Sequence, residues 1–129
     1  MRLGLALLMA LAATPAVADD CRLLMAGDRV EGEFRWVESR HPNGEAIRAP
    51  FIVTGARVCV PGESLVDGTI FNAEGHWLQL GLADDSVAES LVPGELYSLT
   101  AEYDVPMTAW HIGDIMAFEA QVLPIESAP

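Results

Sequence analysis

In the stretch from Asp28 to Trp36, the apolar side chains Val30, Phe34 and Trp36 alternate with Arg29, Glu31, Glu33 and Arg35. Alternation at a period of two predicts a half-buried antiparallel strand with one wet face. Gly32 falls on the apolar face, where a missing side chain permits the sharp bend that a small barrel needs to close. Phe51 to Val60 reads differently, as a mostly apolar or β-branched run between Pro50 and the Pro61-Gly62 turn signal. Such a run is the pattern of a strand covered on both faces. Ile52, Thr54, Ala56, Val58 and Val60 then share one face, and Phe51 and Val53 lie beneath a loop or partner on the other. Between these two strands, Ser39 to Ala49 is expected as a polar loop around the Asn43-Gly44 turn signal.

Beyond Pro61-Gly62 the pattern predicts an irregular connection through Leu65, Val66 and Ile70. A third strand follows over His76–Leu82, with Leu78, Leu80 and Leu82 inward. One segment is helical in pattern, Asp84 to Leu91, with a capping box between Ser86 and Glu89 and a buried pair in Val87 and Leu91. Pro93-Gly94 ends it. The paired Asp84 and Asp85 are read as helix-start carboxylates rather than catalytic acids. Leu96 to Tyr103 places Tyr97, Leu99, Ala101 and Tyr103 on one face. Asp114 to Leu123 is expected to turn Met116, Phe118, Ala120 and Val122 inward, opposite Ile115 and Ala117, with a loose tail after Pro124. Three strands, a short helix and two strands make an all-β chain with the plan of a small five-stranded, OB-fold-like antiparallel barrel. A β-sandwich is the alternative, but it calls for about seven strands.

The N-terminus adds a compartment. Met1-Arg2, the apolar run from Leu3 and the Ala16-Val17-Ala18 cleavage signal read as a secretory signal peptide over residues 1–18. The run is too short and too soon broken by Pro15 to span a bilayer. Residues 19–129 are then a single domain, periplasmic or secreted after cleavage near Ala18, expected as a monomer without stable membrane insertion. In an oxidising compartment, Cys21 and Cys59 are expected to form a disulfide. Charge narrows the partners. The chain has seven Arg and no Lys against nineteen Asp and Glu, a formal net charge of −12, and no basic side chain follows Arg57. Nucleic acids are bound through Lys and Arg on phosphates, so an acidic chain of this kind is not expected to take them up.

The chain resembles a family of small exported bacterial proteins known as domain-of-unknown-function family 4431. The likeness is carried by the Gly32-bearing first strand and its loop, the strand ending Arg57-Val58-Cys59-Val60, and Leu78-Gln79-Leu80. It continues in Leu91-Val92-Pro93-Gly94 and Thr108-Ala109-Trp110-His111. The resemblance implies an OB-type barrel and no particular activity. Its members tend to carry a histidine-rich loop before the last strand. Here only His111 stands there, which tells against carrying a metal site over.

OB-type barrels bind ligands across their second and third strands and the loops joining strands one to two and four to five. The candidate binding residues are therefore Arg40, His41 and Arg48 from the first loop, with Thr108, Trp110 and His111 from the second. An aromatic with basic and hydroxyl neighbours suits an envelope protein or a small polar ligand; the bland reading is that Trp110 caps the barrel. A metal site would rest on His111 with Asp114 or Asp104, together with His41, but no pair of histidines has ligand spacing. No catalytic residue and no cofactor are expected. Without lysine there is no Schiff base or phosphate-loop lysine, and Gly-x-Ser-x-Gly, Cys-x-x-Cys and Gly-x-Gly-x-x-Gly are absent. The expectation is a non-enzymatic exported binding module, with a periplasmic metal-binding protein as the alternative.

Overall fold

The computed structural model describes residues 20–63 and 66–125. The leader expected over 1–18, Leu65 of the third connection and the end of the tail lie outside them. The strands are β1 (Arg22–Leu23), β2 (Arg29–Arg40), β3 (Ala46–Glu63), β4 (Ile70–Leu80), β5 (Leu96–Asp104) and β6 (Ile115–Pro124). A single short helix, α1 (Asp85–Glu89), stands between β4 and β5. Following hydrogen-bonded neighbours gives β2-β3-β4-β6-β5 and back to β2, a closed five-stranded barrel, with β1 added beside β3. This is the OB-type order. The barrel is mixed rather than wholly antiparallel, because β4 and β6 run parallel where they meet. A sandwich is not needed to account for the strands.

Each barrel strand sends a wholly buried side chain to the centre. Phe34, Ile52, Leu78, Leu99 and Ile115, from β2 to β6 in turn, form the middle of one core cluster. Burying a side chain of this size contributes roughly 1.5–3 kcal/mol. The close approach of β2 and β3 beside this core needs Gly32. A Cβ at that position would lie 2.5 Å from the Val53 carbonyl oxygen and 2.7 Å from the Ile52 side chain.

Several expected boundaries shift. The polar loop shrinks to residues 41–45, because β2 runs on to Arg40 and pairs with Ala46–Pro50. Long side chains on an exposed hairpin had masked its strand pattern. Pro61 and Gly62 do not turn the chain. They lie inside β3, opposite Asn72 and Phe71 of β4, which starts at Ile70. The β3 face pattern holds at Ile52, Thr54, Val58 and Val60 but breaks at Ala56, which is exposed, where the register with β4 shifts between Val53 and Val58. In the helix Asp84 is the cap. Its Oδ1 accepts the Ser86 N–H at 2.9 Å, which holds the carboxyl below the usual carboxylate range. Glu89 reaches Arg48 instead of closing a capping box, and Ala88 rather than Val87 is buried.

The phase of β6 also differs. Ile115 and Ala117 enter the core first, while Phe118 is half-buried and packs edge-on against His111. Glu119 then takes a φ of 50°, and Ala120 and Val122 become the inward residues. One residue in the left-handed region has moved the alternation by a step, as a bulge does.

Cys21 and Cys59 are joined, with their Cα atoms 5.9 Å apart, beside the parallel pairing of β1 with β3. No helix of the described residues is long and apolar enough to cross a membrane. The bond closes a span of 38 residues. Removing it with Cys21→Ser/Cys59→Ser is expected to cost about 4 kcal/mol in the chain-entropy picture, read from urea unfolding. A second expectation concerns Tyr103, whose hydroxyl donates to the Asp28 carbonyl at 2.6 Å. Burial, helped by the Asp28 charge, raises its pKa from 10.0 to about 12. The phenol is favoured neutral in the fold, so its contribution is complete below pH 10.0 and is lost as the pH rises through about 12. The urea midpoint should fall across that window in the wild type, and Tyr103→Phe should remove this part of the fall.

Candidate functional site

The loop between β2 and β3 and the loop between β5 and β6 meet on one side of the barrel. At the first, His41 donates its N–H to the Glu45 carbonyl at 2.8 Å and accepts the Gly44 N–H on its own carbonyl at 2.8 Å. The Asn43 side chain accepts the Glu45 N–H at 2.9 Å, which completes a tight, polar tip. At the second, Thr108 organises a turn. Its hydroxyl accepts the Trp110 N–H at 3.2 Å and its carbonyl accepts the His111 N–H at 3.0 Å. These turns bring the rings of His41 and Trp110 to 4.1 Å between centroids, tilted by 35°.

Gln79 of β4 anchors the second loop. Its side chain is buried, and its Oε1 accepts the N–H groups of Ile112 at 2.6 Å and Gly113 at 3.0 Å. Its Nε2 donates to the Trp110 carbonyl at 3.1 Å. One side chain thus satisfies three backbone groups, each of which would be costly to bury alone. Asp114 makes the second anchor. Its Oδ2 accepts the N–H groups of His76 at 3.2 Å and Trp77 at 3.1 Å, and its own N–H donates to the Trp77 carbonyl at 2.9 Å. Gly75 makes room for that carboxylate. With a φ of 152°, it has no side chain where a Cβ would meet Asp114 Oδ2 at 2.2 Å.

Under the loop lies a small second cluster, Ile47, Ala49 and Phe51, with Val37 and Ile112 packed on it. Phe51 meets Trp77 edge-on at 5.9 Å, so the face expected to lie beneath a loop is covered there at Phe51. Trp77 itself stays 41% exposed and Trp110 43% exposed. Beside Trp77 opens a cleft of about 280 Å³ lined by Val37, Phe51, Trp77, Ile112 and Asp114. A wider hollow at Arg29, Ser98, Leu123 and Pro124 holds no aromatic ring and no residue of either loop.

The six candidate binding residues do not all gather. His41 and Trp110 touch. Thr108 and His111 serve their own loop, since His111 Nδ1 accepts the Met107 and Thr108 N–H groups at 3.0 and 3.3 Å. Arg40 bonds the Gly44 carbonyl of its own hairpin at 2.9 Å. Arg48 shares a hollow with Arg40, yet its charged end turns to the other face of the hairpin. Its guanidinium lies 3.7 Å from the centre of the Trp36 ring and 3.3 Å from Glu89 of α1. Alternation explains this, because Ile47 and Ala49 take the face toward Ile112.

Backbone contacts also engage the groups considered for a metal. His111 Nδ1 and Asp114 Oδ2 are used as above, His41 Nδ1 accepts the Asn43 N–H at 3.1 Å, and Asp104 Oδ1 accepts the Val105 N–H at 2.7 Å. Among the described residues no three His, Cys, Asp or Glu side chains group in a way that could hold a metal. Sequence reading passed over Trp77, Gln79 and Phe51 as site residues. The signal was present, since Trp77 and Gln79 alternate with the inward Leu78 and Leu80, which marks an aromatic and an amide on the barrel's outer surface.

Neither a family model, nor a curated protein, nor a solved structure matches the chain significantly. The geometry gives its own test of the anchors. Gln79→Leu should leave the Ile112 and Gly113 N–H groups without an acceptor and cost roughly 1–3 kcal/mol. Hydrogen exchange at those two amides should accelerate, while the amides of β2 and β5 keep their protection.

Proposed function

We propose that this protein is a non-enzymatic binding module, exported to the periplasm or beyond, that receives an envelope protein on the face holding Trp77, Trp110 and His41. The observation that carries the reading is the pairing of exposure with fixation. Half-exposed Trp77 lines an apolar cleft, half-exposed Trp110 stands on the loop that supplies Ile112 to its wall, and the buried Gln79 and half-buried Asp114 side chains hold the backbone beneath both. Exposed, rigidly held aromatic side chains are typical anchors of protein interfaces, because little entropy is lost on docking. The position agrees with the ligand face of OB-type barrels, which is an analogy of fold and carries less weight than the residues. The Cys21–Cys59 bond fits an oxidising compartment, as does the N-terminal export pattern. The resemblance to family 4431 adds a fold and no activity, so the reading rests on the site.

A partner, rather than a small polar ligand, is favoured by the shape of the face. The cleft is open and, at about 280 Å³, falls just below the ~300–1,000 Å³ usual for small-molecule pockets. Cross-linking in intact cells tests the reading. Wild-type protein should yield a defined adduct that the Trp77→Ala/Trp110→Ala variant loses, while Leu123→Ala, in the other hollow, retains it. An adduct that survives the double substitution would remove this face as the binding surface.

A further inference from the structure

One charged group closes the apolar cleft. Asp114 Oδ2 is held by two backbone N–H groups, whereas Oδ1 accepts no hydrogen bond from any described residue. No ion pair among the described residues involves Asp114 either. The arginines of β2 and β3 are engaged elsewhere: Arg29 with Glu31, Arg35 with Glu33, Arg40 with the Gly44 carbonyl, Arg48 with Trp36 and Glu89, and Arg57 with Glu74. Asp114 lines the cleft together with the rings of Trp77 and Phe51, and Val37 and Ile112 complete the walls.

We infer that the cleft reads a basic side chain of the partner protein, arginine above all. This rests on the face described above as the binding surface and specifies what that surface recognises. A guanidinium suits the site in two ways: its plane stacks on an indole, and its N–H groups donate to a carboxylate oxygen. The cation also donates to the Asp114 carboxylate, whose Oδ1 no described residue engages, in a setting where apolar walls strengthen the attraction. Charge complementarity points to the same class of partner. The chain carries a net charge of −12, with no basic residue after Arg57, so a basic segment is drawn to it and an acidic one is repelled. The small volume accommodates one side chain. Gly75 is the device that makes the site possible, since any Cβ there would push the carboxylate out of place.

The test uses acetyl-Gly-Arg-Gly-amide and its citrulline counterpart, which keeps the shape of arginine and removes the charge. Each is titrated into the exported protein while the backbone and indole resonances are followed by NMR. The arginine peptide should shift the Trp77 indole and the Asp114 amide saturably, and the citrulline peptide should bind at least about tenfold more weakly. Asp114→Asn should weaken the arginine peptide by a similar factor and leave the citrulline peptide unchanged. Equal binding of the two peptides to the unaltered protein would overturn the inference, whether or not the Asn variant folds. So would shifts confined to residues outside the cleft. The two readings fail separately. Loss of the cellular adduct in the double tryptophan variant, with neither peptide moving the cleft, would leave the binding face standing and remove the cation. Arginine-specific shifts beside an adduct that ignores both tryptophans would leave the cation pocket and remove the wider interface.

Discussion

A five-stranded sheet can close on itself only if its strands bend, and here the longest of them bears most of that demand. β3 pairs with β2 along its first half and with β4 over Phe51–Val53 and again over Val58–Glu63, losing register with β4 between Val53 and Val58. Inside this interruption the buried Thr54 hydroxyl donates to the Ala56 carbonyl at 2.7 Å, and His76 bonds the Thr54 carbonyl from β4. The bend is therefore satisfied rather than strained. Gly32 on β2 lets the two strands meet beside it. The central cluster from Phe34 to Ile115 depends on this geometry, since each barrel strand contributes at least one wholly buried residue.

The outer face is arranged by a different kind of force. Its apolar content is small, Ile47, Ala49 and Phe51 with Val37 and Ile112, too little to fix a loop by burial alone. Backbone hydrogen bonding to two side chains takes over. Gln79 is neutral and buried, suited to saturating amides in a dry place; Asp114 is half-buried and uses only one of its oxygens structurally. Surface ion pairs such as Arg29–Glu31 and Arg48–Glu89 add little, being exposed on both sides. The acidic surplus does not hold the fold together. Its physical consequence lies in which partners approach.

How much of this could be read from the chain depended on whether alternation was continuous. β2 as far as Trp36 and β5 alternate without interruption, and their faces were legible, as were the five barrel strands, the helix position and the cysteine pairing. β6 was misread because Glu119 in the left-handed region shifts its phase, and nothing in Ala117-Phe118-Glu119-Ala120 announces that conformation. Pro61-Gly62 looked like a turn because its composition is that of one, yet pairing with β4 keeps it extended. For the site, the two loops were identified and His41 does meet Trp110, but Arg48 was assigned by proximity in sequence. Two residues one apart on a strand face opposite ways, and that separates Arg48 from the loop that Ile47 touches.

The parallel seam between β4 and β6 spans only three residue pairs, from Leu78 with Ile115 to Leu80 with Ala117. Trp77 and Asp114 are the residues immediately before it on the two strands. The barrel's shortest joint and its exposed cleft are thus the same place in the molecule. A side chain lodged between Trp77 and Asp114 would touch both strands at once, and could do so only while the seam is shut. Occupancy and closure are then linked by mass action: the ligand stabilises the closed barrel in proportion to how well it binds, and an open seam has no site to offer. On the proposed reading, the unliganded form would breathe most at the binding cleft, and a bound partner would act as a sixth connection around the ring.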